Sequence, residues 1–160
     1  MIQSIRGFND IYGKEALLFQ ELEFVLRKVF KNWNFKEVRL PILEKTELFQ
    51  RGIGDDTDIV EKEMYTFCDR NGESLTMRPE GTASVVRFLN EHKLYSQERY
   101  LKFFYIGPMF RYERPQKGRL RQFHQAGVEI FGLEKPNAEI EGISVLYHIL
   151  SNLGITDTTF

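Results

Sequence analysis

Residues 107–127, GPMFRYERPQKGRLRQFHQAG, hold the side chains whose types and spacing most clearly suggest chemistry. Between Arg111 and Arg121 there are five cations and one anion, in a 160-residue chain whose formal net charge is −1. Guanidinium groups form paired hydrogen bonds with phosphate, and flat aromatic side chains stack against bases or cations. The stretch favours a nucleotide ligand, whereas the alternative is a solvated hairpin loop that needs no ligand.

The residues that follow the basic cluster alternate in character along a predicted strand. Period-two spacing predicts a polar, ligand-like face made of Arg121, Phe123, Gln125, Gly127 and Glu129. It predicts a largely core-like opposite face made of Gln122, His124, Ala126, Val128 and Ile130. Buried arginine, glutamine and glutamate are unfavourable unless a polar ligand or solvent satisfies them. Arg111 and Glu113 share a parity on the preceding strand, so they can face the same surface.

The sequence offers no arrangement for covalent catalysis. Cys68 lies in a predicted strand with no histidine nearby in sequence, and no G-x-S-x-G or G-x-x-x-x-G-K-S/T element occurs. The single cysteine excludes an internal disulfide, and the three scattered histidines lack the spacing of a metal site. An enzyme of this kind would act by positioning and charge stabilisation.

The composition is that of a globular protein, with 42% hydrophobic and 28% charged residues. Lysine plus arginine number 22 against 23 acidic residues, so any phosphate recognition must be local. The apolar runs are too short for a membrane span, and the N-terminus lacks the apolar stretch of a secretory signal. We therefore expect a soluble, cytoplasmic protein with no membrane contact.

Several helices and strands that would position these residues follow from periodicity. Apolar spacing predicts a helix over residues 15–33, with Leu18, Leu22, Val25, Val29 and Trp33 on its inner face. A short edge strand is expected over 36–40 before Pro41, and a short helix from Thr46. Strands over 64–68 and 74–78 are joined through Asn71-Gly72 in a tight hairpin.

The second half of the chain predicts a helix, a long hairpin and a further helix. Thr82 is placed to cap a helix through Glu91, with Val85, Val86 and Leu89 facing inward. Strands over 100–112 and 121–131 flank the basic loop. A helix capped by Asn137 ends at Gly154, and ITDTTF at 155–160 opens another strand. Gly52-Ile53-Gly54 lacks the third glycine of a dinucleotide loop and is not interpreted as one.

Hairpin-connected strands with helices between groups predict an α+β fold, an antiparallel β-sheet flanked by helices.

Four stretches of the sequence also resemble one enzyme family. Residues 107–132 look like motif 2 of class II aminoacyl-tRNA synthetases, in the form seen in bacterial histidyl-tRNA synthetases. VRLPILEKTELFQRGIG at 38–54 resembles the motif 1 region, and residues 60–83 resemble the following hairpin and substrate loop. RGFNDIYG at 6–13 also fits.

The resemblance implies the catalytic core of a histidine–tRNA ligase, which uses ATP with Mg²⁺ and transfers histidine to tRNA(His). Arg111, as the catalytic residue, would hold the α-phosphate and the histidine carboxylate. The expected ATP-binding residues are Arg111, Glu113, Arg119, Arg121 and Phe123, with Phe123 against adenine. The expected histidine-binding residues are Glu80, Gly81, Thr82, Arg111, Gln125 and Glu129. A homodimer formed through motif 1 is also implied.

Residues 1–160 are expected to be the N-terminal part of such a catalytic domain, with motifs 1 and 2. Motif 3 and the anticodon-binding domain are not found in this sequence, so the chain alone is expected to be incomplete as a ligase. Two alternatives stay open. One is a non-catalytic paralogue that acts as regulatory subunit of ATP phosphoribosyltransferase, although the intact set of Arg111, Gln125 and Glu129 argues against it. The other is a half-domain that serves dimerisation only.

Overall fold

The computed structural model describes residues 1–53, 63–134 and 136–159. The helices are α1 (Gly13–Asn32), α2 (Thr46–Ile53), α3 (Thr82–Glu91) and α4 (Asn137–Asn152). The strands are β1 (Lys36–Glu37), β2 (Leu43–Lys45), β3 (Tyr65–Cys68), β4 (Ser74–Met77), β5 (Leu101–Phe110) and β6 (Gln122–Phe131). Two three-stranded sheets have the strand orders β1-β5-β6 and β2-β4-β3. The expected α+β class is confirmed.

The two sheets differ in strand direction. In the second sheet β4 pairs antiparallel with both β2 and β3, with Thr76 opposite Glu44 on one side and Thr66 on the other. In the first sheet the two-residue β1 lies at the edge and pairs parallel with β5. The expected edge strand before Pro41 is thus present, but its direction departs from a wholly antiparallel sheet.

The first of two compact units comprises residues 1–10, 39–93 and 105–127. Its fully buried side chains include Phe49, Val85 and Met109. The Asn71-Gly72 turn joins β3 to β4 as predicted, and Gly72 has the positive φ of +83° that a tight hairpin requires. The Asp69 carboxylate accepts hydrogen bonds from the amides of Asn71 and Glu73, which fixes the turn.

The second compact unit comprises residues 11–38, 94–104 and 128–160. Phe30 of α1 stacks on Phe104 with ring centroids 4.6 Å apart, in a core that includes Val145 of α4. The predicted α1 stripe is covered only in part: Val29 is buried and Val25 and Trp33 are half-buried, whereas Leu18 and Leu22 are exposed. Gly154, with φ +77°, ends α4 as predicted.

Several predicted details are wrong. The N-cap of α3 is Gly81 rather than Thr82, and that of α4 is Pro136 rather than Asn137. Val86 is 39% exposed and does not belong to the inner face of α3. Residues 155–159 form no strand, and the Ile155 amide instead donates to the Leu150 carbonyl at the end of α4. Gly54, in the segment that was not interpreted as a dinucleotide loop, lies outside the described residues.

Candidate nucleotide and amino-acid site

Arg111 lies immediately after β5 and is fixed from both its backbone and its side chain. Its amide donates to the Arg121 carbonyl at 2.9 Å, which closes the base of the basic hairpin. Its Nε donates to the Pro79 carbonyl at 2.9 Å. Its guanidinium carbon lies 5.1 Å from the centroid of the Phe123 ring, a cation–π arrangement. The structure thus brings Arg111 and Phe123 together beside the segment that contains Glu80.

The other predicted ATP residues of the hairpin surround Glu113. Arg119 Nη1 lies 3.4 Å from one Glu113 carboxylate oxygen, and Arg111 Nη1 lies 4.0 Å from the other. Arg121 Nε donates to the Glu113 backbone carbonyl at 3.0 Å, and its guanidinium stacks 4.1 Å above the Tyr112 ring. The Glu113 side chain is only 14% exposed, whereas that of Arg119 is 65% exposed. The cations therefore surround one largely buried carboxylate.

The N-terminal segment also contributes to this region, which the sequence patterns did not predict. The Gly7 carbonyl accepts hydrogen bonds from the amides of Arg121 and Gln122, at 2.9 and 3.0 Å. Gly7 has φ +87°, and a Cβ there would lie 2.9 Å from Arg121 Cγ. Glycine is required by both the backbone conformation and the space. The RGFND stretch thus positions the first residues of β6.

Glu80 performs the capping that Thr82 was predicted to perform. One carboxylate oxygen of Glu80 accepts the Thr82 amide, and the other accepts the Ala83 amide at 3.0 Å. These are two of the amides that a helix N-terminus leaves without intrahelical partners. A carboxylate there is further stabilised by the helix dipole. Glu80, Gly81 and Thr82 are therefore held as one rigid corner at the start of α3.

Tyr105 of β5 sets the distance between this corner and β6. A Cβ at Gly81 would lie 2.3 Å from the Tyr105 ring, and a Cβ at Gly127 would lie 2.4 Å from it. Neither position has room for a larger residue, because the buried Tyr105 ring occupies the space between them. Gly127 was predicted on the ligand-like face, but its packing partner was not. Only the two glycines themselves could have indicated it.

Gln125 carries the clearest sign of an available acceptor among the predicted histidine-binding residues. Its Oε1 is buried and has no hydrogen-bond partner among residues 1–53, 63–134 and 136–159. Buried side-chain oxygens are nearly always paired in folded proteins, so a ligand hydrogen-bond donor is a natural partner for this one. Glu129 lies four residues further along β6, in the part of the strand that belongs to the second unit, and is half-buried there.

The prediction for the opposite face of β6 is wrong for His124 and Ala126, which are exposed. Phe123 and Gln125 of the polar face are half-buried, although the other three residues of the opposite face are half-buried too. The physical reason is that Arg111 packs on Phe123 and the Tyr105 ring packs on Gly127. Residue types along a strand do not show which face the rest of the protein covers.

A surface pocket of about 420 Å³ lies elsewhere in the first unit, between Pro41 and α3. Its charged groups are already paired: Arg87 donates to Glu44 at 2.7 Å and also bonds Glu91. Burial alone would lower the pKa of Arg87, but the hydrogen bonds and charges of Glu44 and Glu91 together outweigh it and raise that pKa. The pocket therefore needs no ligand to satisfy its charges.

A family model described as histidyl-tRNA synthetase matches residues 7–160. This chain belongs to the histidyl-tRNA synthetase family. The histidine–tRNA ligase of Geobacter sulfurreducens is 55% identical over 159 residues, which are 99% of this chain and 38% of that protein. That of Halothermothrix orenii is 58% identical over 156 residues, 98% of this chain and 37% of its own length. The chain thus spans under two fifths of these relatives.

Solved structures support the same assignment. The apo histidyl-tRNA synthetase of S. aureus has a TM-score of 0.80 and 38% identity, covering 96% of this chain and 35% of that one. An ATP phosphoribosyltransferase regulatory subunit/histidyl-tRNA synthetase from Bacillus halodurans C has a TM-score of 0.81 at 21% identity. The second likeness concerns the fold alone. The class II synthetase core expected from the sequence is confirmed. In the part of the chain that is described, no helix is long and apolar enough to cross a membrane.

Proposed function

We propose that this chain supplies the ATP- and histidine-binding surface of a histidine–tRNA ligase. In that reaction a histidine carboxylate oxygen attacks the α-phosphorus of ATP, pyrophosphate leaves and histidyl-adenylate forms. The observation that carries the proposal is the placement of Arg111, held by Pro79 and packed on Phe123. A guanidinium so fixed can stabilise the charge that develops on the α-phosphate without reorganising. No protein nucleophile is needed.

The remaining ATP contacts are assigned to the hairpin. Phe123 would stack on adenine with the ring face opposite the Arg111 guanidinium, so that the contact between Arg111 and Phe123 is kept. Arg119 is exposed, and its contact with Glu113 at 3.4 Å is exchangeable for a phosphate oxygen. Arg121 and Glu113 are held together by a backbone hydrogen bond and so form the fixed part of this surface. The cluster of cations between Arg111 and Arg121 would thereby contact the triphosphate.

Mg²⁺ is expected to accompany ATP, and the side chains present fit a metal held mainly by phosphate. Among residues 1–53, 63–134 and 136–159, no three acidic, histidine or cysteine side chains form a metal-binding group. Mg²⁺ in nucleotide enzymes typically uses one or two carboxylates besides the phosphates and waters. Glu113, flanked by Arg111 and Arg119, is the carboxylate of the hairpin that could serve. When bound, the metal would neutralise charge on the triphosphate.

The histidine-binding residues are assigned around the α3 corner and β6. Gln125 Oε1 would accept a hydrogen bond from histidine. Glu80 would receive the ammonium group with the acceptor capacity that remains beyond its two amide bonds. Gly81 and Thr82 would line the same corner, and Glu129 would receive the imidazole. The Arg111 guanidinium would also contact the histidine carboxylate.

Histidine-dependent exchange of pyrophosphate into ATP, measured on the full-length protein, tests this function. We expect exchange with histidine and none above background with the other amino acids, which serve as matched controls. Exchange without amino-acid dependence would contradict histidine recognition. Absence of exchange, in a protein that is folded by circular dichroism, would favour the non-catalytic paralogue.

Association and transfer to tRNA(His) belong to the same proposal. Leu17, Leu18 and Phe24 of α1 are at least 60% exposed, which leaves apolar surface on the second unit. We propose that a second copy covers this part of α1 in a contact that also includes the adjoining motif 1 residues, giving a cytoplasmic homodimer. Sedimentation of the full-length protein should show a dimer, and replacing Leu18 and Phe24 with serine should weaken it. A monomer at high concentration would contradict the proposal.

A further inference from the structure

Arg78, at the start of the RPEGT stretch, is a buried cation, only 5% exposed. Its Nε donates to the Pro108 carbonyl at 2.9 Å, and its Nη1 donates to the Leu40 carbonyl at 2.8 Å. Within the described parts of the chain, no carboxylate forms an ion pair with it. Burial lowers the pKa of its guanidinium, against smaller raising effects of Tyr105 and Glu44. The side chain is thus committed to backbone carbonyls of two separate segments.

The backbone of β5 is shaped to accept this guanidinium. A Cβ at Gly107 would lie 2.6 Å from Arg78 Nη2, well inside van der Waals contact. Only glycine leaves room for the group where β5 passes it. The next residue, Pro108, provides the carbonyl that accepts from Nε. Gly107 and Pro108 therefore form the site on β5 that receives the Arg78 guanidinium, which is called the Arg78 seat below.

The main chain around Arg78 is attached to the C-terminal end of the same strand. The Arg78 carbonyl accepts the Phe110 amide at 3.0 Å. The following carbonyl, that of Pro79, accepts Arg111 Nε at 2.9 Å. The next residue is Glu80, which caps α3. Arg78 is thus linked through one residue to the Arg111 guanidinium and through two residues to the α3 corner.

We propose that Arg78 is a positioning residue for histidine activation, which seats the 78–81 segment on β5 and thereby fixes the Arg111 guanidinium and Glu80. This inference rests on the function proposed above. A buried cation that pairs only with carbonyls is an unfavourable way to stabilise a core, since a well-packed apolar side chain would avoid its desolvation. The planar guanidinium instead contributes directional hydrogen bonds. Its bonds to two other segments of the chain hold the 78–81 segment in place.

Two substitutions disturb this seat by different routes. Arg78→Met removes the charge and the donors but keeps much of the aliphatic volume. Gly107→Ala keeps Arg78 and displaces its guanidinium by steric overlap. Arg87→Met is the matched control, because Arg87 is a partly buried arginine of the same unit that bonds the carboxylates of Glu44 and Glu91. Arg78→Lys retains the positive charge but replaces the planar guanidinium with a compact ammonium group. It should therefore recover part of the kcat that Arg78→Met loses.

The kinetic test is histidine-dependent exchange by each full-length variant, at a temperature where it is folded by circular dichroism. We expect Arg78→Met and Gly107→Ala to lower kcat by about 10- to 100-fold, because small misplacements of reacting groups have effects of this size. Arg87→Met should lower Tm with kcat nearly unchanged. If the folded Arg78→Met and Gly107→Ala proteins both kept kcat and lost only Tm, as the control does, Arg78 would be purely structural and the proposal would be overturned.

Hydrogen exchange of the Phe110 amide provides a readout that does not depend on activity. This amide donates to the Arg78 carbonyl, so it should lose protection in Arg78→Met and Gly107→Ala but not in Arg87→Met. Unchanged protection in both seat variants would overturn the positioning role even if kcat fell. If the variants lost protection of the Phe110 amide but the wild-type protein showed no pyrophosphate exchange, the positioning of the segment would be supported. The proposed function would then be contradicted.

Discussion

The 78–82 segment and the 112–120 loop both contribute predicted substrate contacts, yet they are built in opposite ways. In the first, the carbonyls of Arg78 and Pro79 are both occupied, and the Glu80 carboxylate caps a helix. In the second, the tip is held by an isolated bridge between Gln116 and Arg119 and by the contact of Arg119 with Glu113. One segment is fixed before any ligand binds, and the other presents exposed cations.

This difference suggests a division of labour within the site. A transition state is stabilised best by groups that are already in place, so the fixed segment should govern rate. Exposed arginines have weak, screened interactions in water and are free to rearrange around phosphates, so the loop should govern ATP affinity. Arg111 lies where the two meet, bound to Pro79 and close to Glu113.

The largest expected effect is that of Arg111→Ala. Full-length protein with this change should lose about 100-fold or more in kcat for pyrophosphate exchange, as is typical when a fixed group opposite developing charge is removed. Arg114→Ala, in the same loop, is the control and should change kcat little. Near-normal exchange by Arg111→Ala would remove this residue from the mechanism.

Gln125→Ala separates histidine recognition from ATP binding. The buried Oε1 is expected to bind histidine, and losing one buried hydrogen bond should raise KM for histidine by about 10-fold. KM for ATP should stay within about 2-fold, since the adenine and phosphate contacts are assigned elsewhere. An equal rise in both constants would indicate a general loss of structure instead.

Glu80→Ala tests whether the fixed segment depends on its cap. Removing the acceptor of two helix amides should lower the free energy of unfolding by about 1 kcal/mol, the usual effect of losing an N-cap. Glu80→Gln keeps an acceptor and should lose less. Urea unfolding of the 160-residue chain measures both, and equal stability of Glu80→Ala and wild type would show that the cap contributes nothing.

The smallest expected effect is that of Arg119→Ala. Because its side chain is 65% exposed, its interaction with phosphate should be modest and screened by salt. KM for ATP should rise by about 2- to 5-fold at low salt and less at high salt, with kcat unchanged. A large fall in kcat would contradict the division between the fixed segment and the loop.

The sequence predicted those parts of the fold that follow from local patterns. The bounds of α3, the β3–β4 hairpin and the glycine at the end of α4 were predicted closely because periodicity, turn residues and the left-handed φ of glycine are local properties. The long hairpin around the basic loop was predicted for the same reason. The family resemblance supplied the roles of its residues, and those roles stay predictions.

The parts that the sequence did not predict join residues far apart in the chain. The Gly7 carbonyl meets β6, and the Tyr105 ring separates Gly81 from Gly127. Arg78 was predicted only as the last residue of the strand over 74–78, and its burial was not predicted. The cap of α3 was assigned to the wrong residue because Thr82 and Glu80 both carry side-chain oxygens, and only the three-dimensional arrangement decides between them.

The central claim is that the basic hairpin binds ATP through Arg111 and Phe123. The most direct measurement is an amide NMR titration of the 160-residue chain with Mg-ATP, with Arg111→Ala as the control. We predict saturable shifts concentrated in residues 111–123 and in the adjoining 78–82 segment, with weak affinity, and a much smaller response in the variant. Shifts confined to other parts of the chain, or an identical response of wild type and Arg111→Ala, would contradict the claim.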